Sequence, residues 1–336
     1  MDYNVLWFIL IGVLFTGFFF LEGFDYGVGM LMPFLTKQEA ERSQILATIA
    51  PVWDGNEVWM ITAGGAMFAA FPHVYATMFS SFYMALFLML IALILRGAAF
   101  ELRHCHESLV WQQGWDKAIC FGSAVPAFLW GVAMTDLLVG LPIGQNMVYQ
   151  GTFFDLLSPY SILGGLMTLC LFAFHGANFL ALKLDNEPLC ATVRRTGLRA
   201  CLGAFILAVI LIIAPITKGL LSFHSLEIVL FVLAAVLLLA SALDLLHHRE
   251  KRAFVATGGS IILLTAGFFL TMFPRLMVSS LNPDWSLTIT NAASSEYTLS
   301  IMTVAALCLV LVVLIYQGWT YWTFRHRITI DTHHEY

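Results

Sequence analysis

Apolar residues run along this chain in blocks far longer than the alternation of a strand or the one-sided stripe of a soluble helix. Blocks at roughly 5–34, 49–71, 74–95, 116–140, 157–181, 197–217, 225–246, 253–274 and 298–323 each approach or exceed the ~20 residues an α-helix needs to cross a hydrocarbon core. The pattern predicts about nine transmembrane helices. Helix-breaking residues separate them: Pro72, then Gly140 and Pro142, then Lys218 with Gly219, then Pro274. The longest polar connector, 275–297, carries Asn282-Pro283 as a turn signal, and no internal repeat or low-complexity tract is visible.

Composition agrees with the pattern. Of 336 residues, 60% are hydrophobic and 11% charged, against roughly a quarter charged in a soluble domain. The fold class is therefore an all-α integral membrane protein, a single transmembrane domain over 1–336. The first block is too long for the apolar core of a cleaved leader, and Asp2 stands where leaders carry positive charge, so it reads as a retained helix. The net charge of -5 gives no reason to expect nucleic acid. Its distribution sets orientation. All of the 16 basic residues except Lys218 and Arg275 fall after spans 1, 3, 5 and 7, in the tail, or at the span edges beside them. Cytoplasmic loops collect Lys and Arg, so the N-terminus is expected outside and the C-terminus inside.

Orientation gives depth to the buried charges. Rising about 1.5 Å per residue from the outer edge, the first helix brings Glu22 and Asp25 near the inner edge of a core about 30 Å thick. The second enters from the inner side, so Asp54 and Glu57 of WDGNE lie at similar depth, and Arg96 ends the third helix there. Four carboxylates and one guanidinium from three successive helices are thus expected near one level. An acid within a span costs on the order of 2.5–3.5 kcal/mol at mid-membrane and less near the edge, so it has a partner or a task. A helix cap at Asp54 with Arg96 paired to Glu22 or Asp25 is one reading. Proton uptake, in which neighbouring carboxylates exchange protons, is the other, and the two are compatible. Gly23 and Gly27 have the small-x-x-x-small spacing that lets membrane helices approach closely, and Gly64 with Gly65 is read the same way.

Other chemistry is thinly represented. Only His175 lies inside a span, so paired intramembrane histidines for an axially ligated haem are not expected. His104, Cys105 and His106 read as a solvated loop rather than a metal site, as do His333 and His334, and no metal is expected. The six cysteines show no C-x-x-C pair, and structural disulfides are not expected. Phosphate-cradling and H-E-x-x-H motifs are absent. Trp53, Trp59, Trp319 and Trp322 sit near span ends, as an interfacial aromatic belt does.

Three segments carry a resemblance: EGFDYGVGML near the N-terminus, APVWDGNEVWMITAGGAMFAAFPHVYA, and the C-terminal FPRLMVSS with SLTI and ASSEYTLSIM. Together they resemble subunit II of the cytochrome bd family of bacterial quinol oxidases. The resemblance implies two four-helix bundles plus one peripheral helix, here about 1–140 and about 141–324, followed by a short cytoplasmic tail at 325–336. It also implies a partner, subunit I, that holds haem b558, haem b595 and haem d with the quinol site, while subunit II lacks haem ligands and has no catalytic residue of its own. The complex oxidises quinol near the outer face of the bacterial inner membrane and reduces oxygen to water with cytoplasmic protons. The family's proposed proton path assigns a role to the aspartate of W-D-G-N, which is Asp54; Glu57, Glu22, Asp25 and the ion-pair partner Arg96 are added from depth and spacing. Glu22 and Glu57 stand where Asp and Gln respectively would also be accepted. A structural quinone or lipid and a small single-helix accessory subunit are further associations the family allows. The same acid cluster would also suit a proton-coupled secondary transporter, though transporters bind at mid-membrane between inverted repeats, or a scaffold with no proton role.

Overall fold

The computed structural model describes residues 2–217 and 224–329, with the side chains of 215–217 excepted; Lys218, Gly219, His333 and His334 lie outside the described residues. The chain is a bundle of helices: α1 (Tyr3–Leu35), α2 (Glu39–Ala47), α3 (Trp53–Ala70), α4 (Pro72–Ser81), α5 (Tyr83–Leu102), α6 (Leu109–Val139), α7 (Pro159–Lys183), α8 (Glu187–Thr217), α9 (Ser225–Leu246), α10 (Glu250–Met272) and α11 (Glu296–Thr323). Among the described residues, eight helices are long and apolar enough to cross a membrane. The expected ninth, α3, has 18 residues and spends its first two turns on Asp54, Asn56 and Glu57.

Start signals are ordinary. The Asp2 carboxylate accepts from the Asn4 and Val5 amides at 2.9 and 3.4 Å, Ser158 caps α7 ahead of Pro159, and Ser295 caps α11. Three boundaries depart from hydropathy. The span expected at 74–95 is broken at Phe82, where the Ser80 and Ser81 hydroxyls bond back to the carbonyls of Ala76 and Thr77 and loosen the last turn of α4. Both α6 and α8 begin well before positions 116 and 197, because polar residues such as Gln112 and Arg195 lower hydropathy without opposing a helix that extends beyond the apolar zone.

The centre of the molecule is α1, which touches α3 and α6, and also α7 and α10; α7 to α10 pack among themselves. Small residues set the spacing. A Cβ built on Gly27 would lie 2.0 Å from the Phe172 carbonyl oxygen and 2.8 Å from Gly176 Cα, so α1 and α7 touch backbone to backbone there. Gly23, one turn earlier, is covered by the Phe172 ring. The packing read for Gly64 and Gly65 has no counterpart among the described residues, since none lies within 4 Å of a Cβ at either.

One end of the bundle is closed by the connector expected as a polar loop. It pairs β1 (Arg275–Met277) with β2 (Leu287–Thr288), and Ser294 binds the Ala69 and Ala70 carbonyls at the end of α3. The other end gathers the basic residues. Buried Arg103 joins Asp116 at 2.7 Å and also Glu39, while Arg42 reaches Asp116 at 2.8 Å, which seats α2 against α5 and α6. The tail crosses this end: the Ile328 amide donates to the Lys183 carbonyl, and the Ile328 carbonyl accepts from Gln44 Nε2 and the Asp185 amide.

Of α11 only Leu299 is buried. Two polar latches hold it. Trp7 Nε1 donates to the Leu299 carbonyl and the Thr303 hydroxyl, and near the basic end Gln317 and Tyr321 meet α3.

Candidate functional site

Near the basic end, α1, α3 and α5 bring their charges together. Arg96 is fully buried; its Nη1 donates to Glu22 Oε1 and, at 3.3 Å, to Glu57 Oε1. Its guanidinium carbon lies 4.9 Å from the Tyr26 ring centroid, 5.5 Å from Phe100 and 5.9 Å from Trp53. This aromatic collar favours a cation. α6 supports the position, because a Cβ on Gly122 would come within 2.6 Å of Arg96 Cβ. Asp25, also fully buried, accepts from Asn56 Nδ2 at 2.6 Å through Oδ2.

One guanidinium cannot neutralise Glu22, Asp25 and Glu57 together. Surplus negative charge in a desolvated site is relieved when a carboxyl keeps a proton, which makes the cluster a place that can hold and exchange one. Among the described residues, Glu22 Oε2, Asp25 Oδ1, Tyr26 Oη and Arg96 Nε and Nη2 are buried with no donor–acceptor partner, and the Glu22 and Asp25 carboxyls lie within hydrogen-bonding reach of each other.

Asp54 does not join this group. It is exposed and heads a stripe on α3 that continues through Val58, Ile61, Gly65 and Phe68. Two residues before Asn56 is about 200° around a helix, so when Asn56 faces Asp25, Asp54 faces outward. Asp54 shares the first turns of α3 with Asn56 and Glu57; direction separates it from Glu22, Asp25 and Glu57.

Sequence reading missed Asn56 and its partners. Asn56 Oδ1 accepts from Tyr321 Oη at 2.8 Å and from Gln317 Nε2 at 3.2 Å, and Gln317 Oε1 accepts from Trp59 Nε1 at 2.8 Å. The available signal was Gln317 itself, an amide inside the apolar run LVVLIYQGW. A second omission is the clamp of Asn178 with Ser241 and Thr257, which joins α7 to α9 and α10.

His175 is packed as core. Its Nε2 lies 3.0 Å from the Phe20 carbonyl, and its ring stacks on Phe254 with centroids 4.8 Å apart and planes 3° from parallel. The ring fills the space between α1 and α10, and its Nδ1 is buried without a hydrogen-bond partner among the described residues. Among the described residues no group of three His, Cys, Asp or Glu is arranged to hold a metal ion. All six cysteines are unpaired. An apolar cavity of about 150 Å³ lies among α6, α7, α8, α9 and α10, lined by Tyr160, Thr168, Phe172, Phe231 and Phe268.

A family model described as "Cytochrome bd terminal oxidase subunit II" matches residues 3–324. The chain is 40% identical over 328 aligned positions to cytochrome bd ubiquinol oxidase subunit 2 of Bacillus subtilis (strain 168), with 96% of each chain covered. It is 37% identical over 371 aligned positions to cytochrome bd-I ubiquinol oxidase subunit 2 of Escherichia coli (strain K12), with 98% of this chain and 96% of the relative covered. In fold it is similar to a chain of bd oxidase from Geobacillus thermodenitrificans, with a TM-score of 0.77, 17% identity and coverage of 96% and 99%.

Proposed function

Because this chain belongs to the cytochrome bd terminal oxidase subunit II family, we propose that it is the haem-free subunit of a quinol:oxygen oxidoreductase, scaffolding subunit I and supplying part of its cytoplasmic proton-uptake path. The chain is part of an oxidoreductase complex and a multi-pass protein of the bacterial inner membrane. Family membership displaces the transporter alternative. Haem b558, haem b595 and haem d, with the site that oxidises ubiquinol, belong to subunit I in this reading. The core packing of His175 supports it, since the fully buried ring is surrounded by Phe20, Phe24 and Phe254. The two bundles, about 1–140 and about 141–324, sit with the basic end in the cytoplasm, as the bias in Lys and Arg favours.

The observation that carries the proton role is the collection of Glu22, Asp25 and Glu57 around one guanidinium, with carboxylate oxygens left free. Asp54, at the head of an exposed stripe, is the member available to subunit I; Glu57, one turn on, leads from it to Glu22 and Asp25. Gly64 and Gly65 serve the scaffold: no described helix of this chain packs on them, which leaves that face to the partner. The apolar cavity suits a lipid chain or the tail of a structural quinone. An accessory single helix remains an allowed partner. The test is quinol-driven oxygen consumption in membranes with subunit I alone, this chain alone, or both. Full activity from subunit I alone would end the reading.

A further inference from the structure

The hydrogen bonds that reach Asp25 from outside the acid cluster have a fixed direction, and a single residue sets it. Trp59 Nε1 can only donate, so the end of the Gln317 amide facing it, 2.8 Å away, must be the oxygen. The other end, Gln317 Nε2, then faces Asn56 and donates at 3.2 Å to its oxygen. With Oδ1 so held, and accepting from Tyr321 as well, Asn56 turns its Nδ2 toward Asp25 Oδ2 at 2.6 Å. A tyrosine hydroxyl can donate or accept and would tolerate either amide orientation; the indole would not. Turning Asn56 over would set its nitrogen against Gln317 Nε2 and its oxygen against the Asp25 carboxylate, two repulsive contacts in a buried site.

We propose that Trp59, Gln317 and Asn56 are positioning residues that reserve Asp25 Oδ2 as an acceptor and so assign the exchangeable proton of Asp25 to Oδ1. A protonated carboxyl has one carbonyl-type oxygen, the better acceptor, and one hydroxyl oxygen. The Asn56 N–H selects Oδ2 as the first. Oδ1 becomes the second: no donor reaches it among the described residues, and the Glu22 carboxyl lies within hydrogen-bonding reach of the Asp25 carboxyl, as a shared proton requires. Glu22, whose Oε2 is also free, lies one helical turn away on α1, so the two open oxygens belong to neighbouring residues on one face. The charged and titratable groups around Asp25 are Glu22 and Tyr26 from α1, Glu57 from α3, Arg96 from α5 and Tyr321 from α11. An amide relay does not pass protons. It orients, and through Gln317 it makes the outlying helix α11 part of the site. This inference rests on reading Asp25 as a member of the proton-uptake path.

The test uses the co-expressed two-subunit complex and infrared difference spectra of its carboxyl C=O region, with the band of Asp25 identified by its loss in Asp25→Asn. Trp59→Phe frees Gln317 to turn over, and Gln317→Met removes the donor to Asn56; both are expected to shift or split the Asp25 band. Tyr321→Phe removes a donor without releasing the amide and is expected to move the band less. A single band at the wild-type position in both Trp59→Phe and Gln317→Met, in complexes with normal haem spectra, overturns the proposal. So does the absence of any band lost in Asp25→Asn. Residue 317 is half-buried on α11, so Gln317→Met serves even if Trp59→Phe does not assemble. Wild-type oxygen consumption in Asp25→Asn would remove the proton-path reading, whereas the infrared band tests the amide polarity separately.

Discussion

Glu22 and Arg96 face each other across the contact between α1 and α5, both fully buried, with the Glu22 carboxylate on the guanidinium Nη1. Each is tolerable there because of the other. Removing one member of a buried pair typically costs about 3–5 kcal/mol, since the remaining charge is left uncompensated. Arg96→Leu is therefore expected to lower the yield and thermal midpoint of the assembled complex more than Glu22→Gln, which keeps an acceptor for Arg96 and removes a negative charge. Differential scanning of the purified complexes compares the two. Equal losses would mean that the surplus negative charge does not matter.

For the proton role, Asp54→Asn is expected to slow quinol-driven oxygen reduction by several-fold while the haem spectra stay normal. Asp54 is exposed and outside the Arg96 cluster, so the substitution leaves the buried ion pairs in place. An oxygen electrode and an optical spectrum on the same preparation are sufficient. Unchanged turnover would leave Asp54 as no more than an exposed residue in the first turn of α3.

The glycines make a contrasting pair. Gly27→Ala is expected to destabilise the chain itself, because the new methyl would lie 2.0 Å from a backbone oxygen of α7 that cannot rotate aside. At exposed Gly65 no described residue lies within 4 Å of a Cβ, so Gly65→Trp builds its side chain from an open surface. Its expected effect is loss of association with subunit I at unchanged folding of this chain, read by co-purification. Normal co-purification of Gly65→Trp would direct the search for the interface elsewhere.

At the basic end, Arg103 and Asp116 are buried partners shared with Glu39 and Arg42. A double-mutant cycle of Arg103→Met and Asp116→Leu is expected to give a favourable coupling on the order of 1–3 kcal/mol, with the double variant closer to wild type than the Asp116 single variant. Thermal midpoints of the four proteins supply the measurement.

Much of this was legible from residue order alone, and the omissions have physical causes. Hydropathy finds apolar blocks because lipid demands them, so α1 and α5 to α11 were within reach. It is silent where a helix leaves the lipid zone: α2 lies between the first two apolar blocks, and Arg42 and Arg103 tie it to Asp116. Counting residues along spans of expected direction puts Glu22, Asp25, Glu57 and Asp54 at one expected depth. Depth is one coordinate of two, and the rotation of α3 that turns Asp54 outward depends on Asn56 finding Asp25 across a helix interface. Gln317 and Tyr321 could not be joined to that site by spacing, since about 260 residues separate them from Asn56.

The tail strand at Ile328 bears on how the protein is handled. Its backbone amide donates to Lys183 and its carbonyl accepts from Asp185 and Gln44, so it fastens the α7–α8 connection to α2. A purification tag joined directly after Phe324 would compete for these bonds and loosen that end of the bundle, whereas a fusion placed beyond Thr329 would leave the fastening intact.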